Sequence, residues 1–392
     1  MKQFIIKSLV LYVILALIMS CSDDDEPTNM APVLTNVTFI IEEDATVGTL
    51  VGAVDASDAD GDELTYSILS GNLDNTFAID SFSGEITVVG MLNFDSISTY
   101  ILEINVTDGI SNTTAEITIS VTEVIETGLF DETITYDGLQ REYLLYIPEN
   151  FTGSQPVPVL FSLHGAGGTK ESQYELSQFN VLADSENFIL ITPEATGING
   201  GNLTFWNQQS DPGRADDVGF IDALIDEIDN RYNIDLDRIY IAGSSNGAFM
   251  TLEIACQLND RIAAAAAVKG YMSSDQISNC NPTHPTPVIQ MHGTTDPLVP
   301  YSGLDPTIQF WTTFNQTDAN PLVTTLPDID PNNGNTVNIY LYANGTNGVE
   351  IEHLEVINGG HDWFGEPGTN YDINASIEAW IFFERFDING LR

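Results

Sequence analysis

Apolar and polar residues alternate in short runs between residues 29 and 126. Successive side chains of a β-strand point to opposite faces, so this alternation predicts strands with one buried face. Turn-forming pairs such as Ser83-Gly84 and Asp108-Gly109 separate the runs. Short strands at this spacing predict an antiparallel β-sandwich. The expected strands are 37–41, 65–68, 85–89, 100–106 and 116–121.

The pattern changes in residues 129–392, where continuous apolar runs alternate with amphipathic stretches. The apolar runs are 157–163, 188–192, 238–242, 263–268 and 287–291, and one helical face between them carries Val218, Ile221, Ile225 and Ile228. Such a pattern predicts an α/β domain with a mostly parallel sheet that is covered by helices on both faces. In these sheets functional residues gather at the carboxyl ends of the strands.

The first 28 residues read as an export signal and a tether. Lys2 and Lys7 precede an apolar run at 9–19 that is too short to span a bilayer as a mature helix, and Cys21 follows closely. The sequence Ile-Met-Ser-Cys at 18–21 resembles the lipobox of bacterial lipoproteins, which implies that Cys21 carries acyl chains. An ordinary signal peptide with an incidental cysteine is the alternative.

We therefore expect a signal peptide at 1–21 and an acidic tether at 22–28. The run Ser-Asp-Asp-Asp-Glu at 22–26 is similar to tethers that send lipoproteins of some Gram-negative bacteria to the cell surface. It is equally explained as a solvated spacer. The expected location is the outer membrane or cell surface, with the lipid bilayer as a partner. The choice between a periplasmic and an outward-facing protein stays open.

The net charge and the cysteine content limit the possible partners of the protein and predict a disulfide. The 57 acidic and 11 basic residues give a formal net charge of −46. This field repels phosphate backbones, which excludes nucleic acid as a partner. An exported chain meets an oxidising compartment, so we predict a disulfide between Cys256 and Cys280, with two buried free thiols as the alternative.

Two glycine-rich turns predict a nucleophile and an oxyanion hole. Residues 243–247 read Gly-Ser-Ser-Asn-Gly between a predicted strand and an apolar helix, the context of a GxSxG nucleophile elbow with Ser245 as nucleophile. Residues 164–168 read His-Gly-Ala-Gly-Gly after an earlier strand. We assign the oxyanion-hole donors to the backbone N–H groups of Ala166 and Asn246.

Two further strand ends supply an acid and a base. Asp296 follows the predicted strand at 287–291, and His361 follows a predicted strand at 351–357. A carboxylate in this place can hold the tautomer of a histidine whose other nitrogen reaches the serine. The order Ser245, Asp296, His361 is the order in α/β-hydrolases. No cluster of His, Asp and Glu in residues 129–392 has metal-ligand spacing.

These motifs together resemble the polyhydroxybutyrate depolymerase and feruloyl esterase-like family of α/β-hydrolases, over nearly all of residues 129–392. The resemblance implies carboxylic-ester hydrolysis through an acyl-enzyme, without a cofactor for catalysis. It implies feruloyl or acetyl esters of plant polysaccharide, or short hydroxyalkanoate polyesters, as substrates. Phe364 stands where the family usually has proline. Trp206 and Trp363 are candidates for stacking on the substrate, with loop packing as the alternative. His164 either assists there or orders its loop from behind.

Residues 29–126 resemble a cadherin repeat. The matching motifs are Asn-Met-Ala-Pro at 29–32, Asp-Ala-Asp at 58–60, Leu-Asn-Phe-Asp at 92–95 and Val-Thr-Asp-Gly at 106–109. In cadherins calcium lies between consecutive repeats, which makes candidate ligands of Glu43, Asp58, Asp60, Asp95 and Asp108. A single repeat lacks half of that site, and Asn93 replaces the usual aspartate. A calcium-binding domain and a calcium-free spacer therefore both remain open.

The combined hypothesis is a secreted, lipid-anchored serine esterase with a cadherin-like spacer. The alternative is a catalytically inactive surface adhesin or carbohydrate-binding protein that uses the cadherin-like module.

Overall fold

The computed structural model describes residues 28–197, 201 and 203–392. The predicted signal peptide, Cys21 and the tether up to residue 27 lie outside these residues. The chain divides into two compact units between Val124 and Ile125. Within the described residues no helix is long and apolar enough to cross a bilayer.

The N-terminal unit is a β-sandwich. Its strands are β1 (Val33–Leu34), β2 (Val37–Glu42), β3 (Leu50–Ala53), β4 (Ala56–Ser57), β5 (Thr65–Ser70), β6 (Phe77–Ile79), β7 (Glu85–Val88), β8 (Thr99–Thr107) and β9 (Asn112–Thr122). One sheet has the order β2-β9-β8-β5, the other has the order β3-β7-β6, and β1 pairs with β4. The pairing is antiparallel, as predicted, except that β2 runs parallel to β9.

The predicted alternation explains the core of this unit. In β8 every second side chain is buried, and the same holds for the second half of β9. These buried positions pack against residues of the opposite sheet, such as Ile86 and Val88. A period of two residues thus places one face of each sheet in the core.

The C-terminal unit alternates strands and helices. Its strands are β10 (Gly128–Tyr136), β11 (Leu139–Ile147), β12 (Val157–Leu163), β13 (Ile189–Pro193), β14 (Ile234–Ser244), β15 (Ala264–Val268), β16 (Val288–Gly293), β17 (Leu322–Thr325), β18 (Thr336–Tyr342), β19 (Ile351–Ile357), β20 (Phe386–Asp387) and β21 (Gly390–Leu391). Its helices are α1 (Lys170–Ser177), α2 (Phe179–Glu186), α3 (Asp217–Arg231), α4 (Asn246–Gln257), α5 (Ser274–Asn279), α6 (Asp305–Asn315) and α7 (Ala375–Phe383).

Ten strands form one twisted sheet in the order β10-β11-β13-β12-β14-β15-β16-β19-β18-β17. The central strands are mutually parallel, as the continuous apolar runs predict; in sheet order they are β13, β12, β14, β15, β16 and β19. The pairs at both edges are antiparallel. The carboxyl ends of the parallel strands therefore meet at one edge of the sheet.

Helices cover both faces of the sheet, and β14 shows how. Ile239 and Ile241 face a core cluster shared with α3, α4 and α6, whereas Tyr240 and Ala242 face a second cluster shared with α7. The apolar stripe predicted for 218–228 is the buried face of α3. This two-sided burial is the reason that the central strands read as continuous apolar runs.

The predicted disulfide is present. Cys256 lies near the end of α4 and Cys280 follows α5, with their Cα atoms 5.6 Å apart. The bridge fastens the C-terminal end of α4, the helix that begins directly after Ser245.

Candidate active site

Ser245 occupies a sharp turn between β14 and α4. Its φ of +53° and ψ of −116° are an unusual conformation for a residue other than glycine. Its N–H donates to the carbonyl of Val268 at 3.0 Å. A methyl group on Gly247 would lie within 3 Å of the Leu163 and His164 carbonyl oxygens, so this glycine lets α4 approach β12. The turn thus projects Ser245 from the carboxyl edge of the sheet.

His361 connects the serine to a carboxylate. Its Nε2 lies 3.0 Å from the Ser245 hydroxyl oxygen, and its Nδ1 lies 2.7 Å from Oδ2 of Asp296. Because the carboxylate can only accept, Nδ1–H is the donor and Nε2 is free to accept the serine proton. The Asp296 side chain is fully buried, whereas that of His361 is 14% exposed. The three predicted residues come together from three different strand ends.

Backbone donors keep the Asp296 carboxyl ionised. Its Oδ1 accepts the N–H groups of Leu298 at 2.8 Å and Val299 at 2.9 Å. Burial opposes the charge, but the Val299 N–H, the bond from His361 and the Leu298 N–H outweigh it and lower the pKa of Asp296. The carboxylate is thus charged when it orients the imidazole.

The predicted oxyanion loop lies beside the serine. A methyl group on Gly165 would be 3.3 Å from Cβ of Ser245. The N–H groups of Ala166 and Asn246 have no acceptor among the described residues. The Asn246 N–H also belongs to the first turn of α4, where backbone donors point out of the helix and favour negative charge. Both donors are therefore available to an oxyanion.

Two family models match the chain in separate regions. Residues 37–122 match the cadherin domain, and residues 152–342 match the phospholipase/carboxylesterase family. The chain joins a cadherin domain to an α/β-hydrolase domain. The second match covers β12 to β18 and includes Ser245 and Asp296, while His361 lies beyond its end.

Curated relatives of the hydrolase domain are esterases and depolymerases. The chain is 26% identical over 254 residues to a bifunctional acetylxylan esterase/xylanase of Neocallimastix patriciarum, with 64% of this chain and 34% of the relative covered. It is 32% identical over 165 residues to feruloyl esterase B of Piromyces equi, with 42% and 30% covered. It is 26% identical over 265 residues to poly(3-hydroxyalkanoate) depolymerase C of Paucimonas lemoignei, with 60% and 62% covered. The chain thus spans about a third of the first two relatives and less than two thirds of the third.

His164 supports the predicted oxyanion loop of the hydrolase domain from its buried side. It is buried, its Nε2 accepts the Ala195 N–H at 3.0 Å, and its Nδ1 donates to the Gly165 carbonyl at 2.7 Å. Burial lowers its pKa to about 4, so the ring stays neutral at ordinary pH. The prediction that His164 assists substrate binding is wrong, because both ring nitrogens bind backbone groups.

Trp206 and Trp363 are also not substrate-stacking residues, because both are buried. The Trp206 indole donates to the His164 carbonyl at 2.9 Å, and its backbone N–H donates to the Asn246 side chain at 2.7 Å. The Trp363 indole donates to the Ser376 hydroxyl at 3.0 Å. Loop packing, the alternative interpretation, is the correct one for both.

Sequence reasoning missed Lys269 of the hydrolase domain. It is 8% exposed, follows β15 directly, and its ammonium donates to the His361 carbonyl at 3.2 Å. The signal was present, because this lysine ends an otherwise apolar run that starts at Ile262. A charged residue at the carboxyl end of a buried strand is, like Ser245, a candidate for a role in the site.

The cadherin domain does not gather all five predicted calcium ligands. Glu43 accepts the N–H groups of Phe94 at 2.9 Å and Val124 at 3.2 Å, and its own N–H pairs with Thr122 at the end of β9. Asp108 precedes the start of β9, which is 11 residues long. At about 3.3 Å per residue the two carboxylates lie at opposite ends of a long strand. Glu43 and Asp108 therefore cannot bind the same ion, and the five candidates do not form one site.

A smaller acidic group lies between β4 and β5 of the cadherin domain. Oxygen atoms of Asp58, Asp60 and Asp62 lie within 4.8 Å of one another. Asp60 also accepts the Met30 N–H at 2.7 Å. Asp58 Oδ2 is buried and has no hydrogen-bond partner among the described residues. Asp58 and Asp60 were predicted ligands, whereas Asp62 was not.

Proposed function

We propose that the hydrolase domain is a serine esterase that cleaves carboxylic esters through an acyl-enzyme. The observation that carries this proposal is the hydrogen-bonded chain from Ser245 through His361 to Asp296, at 3.0 Å and 2.7 Å. These residues come from strand ends separated by 51 and 65 positions along the sequence. Three independent turns converge on one hydroxyl group.

Acylation begins when Ser245 Oγ attacks the ester carbonyl while His361 Nε2 takes its proton. Asp296 stabilises the imidazolium through the Nδ1–H bond and stays ionised. The carbonyl oxygen becomes an oxyanion that the N–H groups of Ala166 and Asn246 bind. The imidazolium then gives its proton to the leaving alkoxide, the C–O bond breaks, and the alcohol departs.

Deacylation repeats these steps with water. His361 takes a proton from water as the oxygen attacks the acyl carbonyl, and the second oxyanion uses the same two N–H donors. Collapse of this intermediate returns the proton from His361 to Ser245 Oγ and releases the carboxylic acid. No metal or other cofactor enters any of these steps.

The proposed substrates are feruloyl or acetyl esters of plant polysaccharide, or short hydroxyalkanoate polyesters. The support is the names of the relatives, an acetylxylan esterase, a feruloyl esterase and a poly(3-hydroxyalkanoate) depolymerase. Assays of feruloylated arabinoxylan, acetylated xylan and polyhydroxybutyrate side by side separate the three classes by their released acids.

The catalytic role of Ser245 is tested by Ser245→Ala. We expect kcat on p-nitrophenyl acetate to fall about 10⁵-fold or more, because the nucleophile is absent. Labelling by a fluorophosphonate probe should disappear. Ser244→Ala is the matched control, because Ser244 is the adjacent buried hydroxyl residue and should leave labelling intact. Ordinary rates in Ser245→Ala would refute the assignment.

An inactive adhesin or carbohydrate-binding protein remains the second candidate, and the cadherin domain match favours it. The same probe separates the two functions, because a protein without activity leaves Ser245 unlabelled.

The proposed location is the outer membrane or cell surface, with export and acylation of Cys21 as the route. This part rests on the sequence pattern at 1–28 alone.

We also propose that the cadherin domain binds calcium at Asp58, Asp60 and Asp62. Three close carboxylates and the unpartnered Asp58 Oδ2 suit a hard cation that takes oxygen ligands. Calcium takes six to eight such oxygens, so water or backbone carbonyls would complete the shell. The bound ion would neutralise part of the negative charge of this domain and takes no part in ester hydrolysis.

A further inference from the structure

Lys269 is a buried lysine beside the proposed catalytic site that the mechanism above does not use. It follows β15 with a φ of +52°, and its backbone N–H donates to the Met291 carbonyl at 2.9 Å. Only 8% of the residue is exposed. A buried ammonium is costly unless partners compensate its charge, so the groups that it contacts reveal its role.

The Lys269 ammonium has a single close partner among the described residues. Nζ donates to the carbonyl oxygen of His361 at 3.2 Å, and no carboxylate oxygen of the part of the chain that the structure describes lies within 4.0 Å of it. Lys170, also buried, differs in this respect, because its ammonium contacts Glu142 at 2.7 Å and Asp131 at 3.1 Å. Lys269 therefore contacts the main chain of the histidine instead of a paired carboxylate.

Three carboxyl groups face Lys269 from a greater distance. Glu366 and Asp362 belong to the segment after β19, and Asp296 belongs to the loop after β16. Burial lowers the pKa of Lys269, while the charges of these three groups oppose that change. In addition to these three carboxyl groups, His361, whose carbonyl Lys269 contacts, carries a titratable imidazole.

The segment that carries His361 needs external support. It contains Gly359 and Gly360, and backbone without side chains is conformationally free. The Thr295 N–H donates to the Gly359 carbonyl at 3.0 Å and fixes the segment just before His361. The Lys269 ammonium fixes the carbonyl of His361 itself. The imidazole is thus held between two anchored main-chain groups.

We propose that Lys269 is a positioning residue that holds the His361 main chain so that Nε2 faces Ser245. This proposal rests on the proposed esterase function. A misplacement of about 1 Å lowers catalysis about 100-fold, so the anchor matters although it touches no substrate. A nearby ammonium disfavours a second positive charge on the imidazole.

The test compares Lys269→Met and Lys269→Gln in the full chain. In Lys269→Met we expect kcat to fall about 10-fold or more, while KM stays within about twofold. The acid limb of the kcat/KM profile should move to higher pH by about 0.5 unit or more, because a positive charge beside His361 is removed. Lys269→Gln keeps an N–H donor without the charge, so it should recover part of kcat and none of the shift.

Lys170→Met is the matched control. It removes a buried lysine from a place where Glu142 and Asp131 are its partners, so it should lower the melting temperature and leave the acid limb unmoved. The His361 pKa can also be followed by NMR in the inactive Ser245→Ala background, with the resonance assigned from its loss in His361→Gln. This second readout does not need activity.

The proposal is overturned if Lys269→Met keeps kcat within about twofold of the parent. It is also overturned if kcat falls without any change in the His361 pKa, since that result describes a packing defect alone. An inactive parent chain would refute the esterase function, and the NMR titration would still decide the role of Lys269.

Discussion

At the residue scale, the Asp296 carboxylate is held by fixed hydrogen-bond donors on both of its oxygens. Two backbone N–H groups hold Oδ1, and His361 holds Oδ2, so the carboxylate needs little rearrangement when the imidazole becomes charged. His292 packs beside it, with Nε2 donating to the Val299 carbonyl at 2.8 Å. Burial lowers the pKa of His292, which therefore adds no competing positive charge.

Asp296→Asn tests this arrangement. An amide of the same shape can present N–H to Nδ1 and favours the wrong imidazole tautomer, so we expect kcat on p-nitrophenyl acetate to fall about 10⁴-fold. The melting temperature should change little, because the backbone donors retain an acceptor oxygen. Asp305→Asn, at an exposed position in α6, is the control and should keep its rate. A loss below about tenfold in Asp296→Asn would contradict the assignment.

The triad could be predicted from sequence because each of its residues follows a recognisable strand and turn. The roles of Trp206 and Trp363 could not. Both stand in loops after strands, yet their exposure depends on partners far along the chain. The Trp363 ring packs edge-to-face on Phe179 at 5.9 Å, a contact that no local pattern contains. The His361 contact of Lys269 depends on the same long-range folding.

At the element scale, α4 connects the predicted nucleophile of the hydrolase domain to its disulfide bridge. Ser245 precedes its first residue, and Cys256 lies near its end, bonded to Cys280. Cys256 follows Ser245 by 11 positions, which at 1.5 Å per residue is about 16 Å. The disulfide is thus expected to stabilise the helix without touching the nucleophile.

A Cys256→Ala/Cys280→Ala double variant should be less stable by about 3 kcal/mol, because the bridge closes a loop with a sequence separation of 24 residues. The rate on p-nitrophenyl acetate at 25 °C should stay within about twofold of the parent. Thermal unfolding and initial rates measure the two effects. A reducing agent should lower the parent melting temperature and leave that of the double variant unchanged. Equal melting temperatures for parent and variant would contradict a stabilising bridge.

The sequence predicts the type of element well for strands whose two faces are both buried, and less well for strands at the edges of the sheet. All seven residues of β12 are buried, which is the pattern that predicts a central parallel strand. In β10 half-buried and exposed positions alternate instead, and its partner β11 follows after a two-residue turn. The sequence pattern of this antiparallel edge therefore resembles that of the sandwich strands more than that of a βαβ unit.

At the scale of the whole molecule, charge is distributed unevenly. The chain carries a formal net charge of −46, and no lysine or arginine occurs in the cadherin domain between residues 29 and 126. Like charges repel in the folded state, so bound cations should stabilise this domain. A specific calcium site and general screening by salt make different predictions.

Millimolar CaCl₂ should raise the melting temperature of the cadherin transition in the full chain if Asp58, Asp60 and Asp62 form a site. NaCl at matched ionic strength is the control for screening. Asp58→Asn should remove the calcium effect and leave the salt effect, because it takes away the carboxylate with the unpartnered oxygen. Equal shifts with both salts would show that no specific site exists.

Stability of the whole chain should also depend on pH through its buried histidines, among them His164 and His353. Burial lowers the pKa of His164 and of His353 to about 4. In the unfolded chain both titrate near 6.5, so between pH 6.5 and 4 the unfolded state binds more protons than the folded state. Folding stability must therefore fall as the pH falls through this window, by up to about 3 kcal/mol for each histidine at its lower end.

His353→Gln isolates one of these contributions. The histidine Nδ1 donates to the Gln290 carbonyl at 3.1 Å, and Nε2 lies 2.9 Å from the Tyr301 hydroxyl oxygen. Glutamine retains one donor and one acceptor but does not titrate, so the slope of the melting temperature between pH 6.5 and 4 should decrease. Asp296 adds its own acid sensitivity at lower pH, because its lowered pKa gives stability that is lost as the pH falls through the folded value. Calorimetry at a series of pH values measures both slopes. An unchanged slope in His353→Gln would mean that this histidine already carries a proton in the folded state.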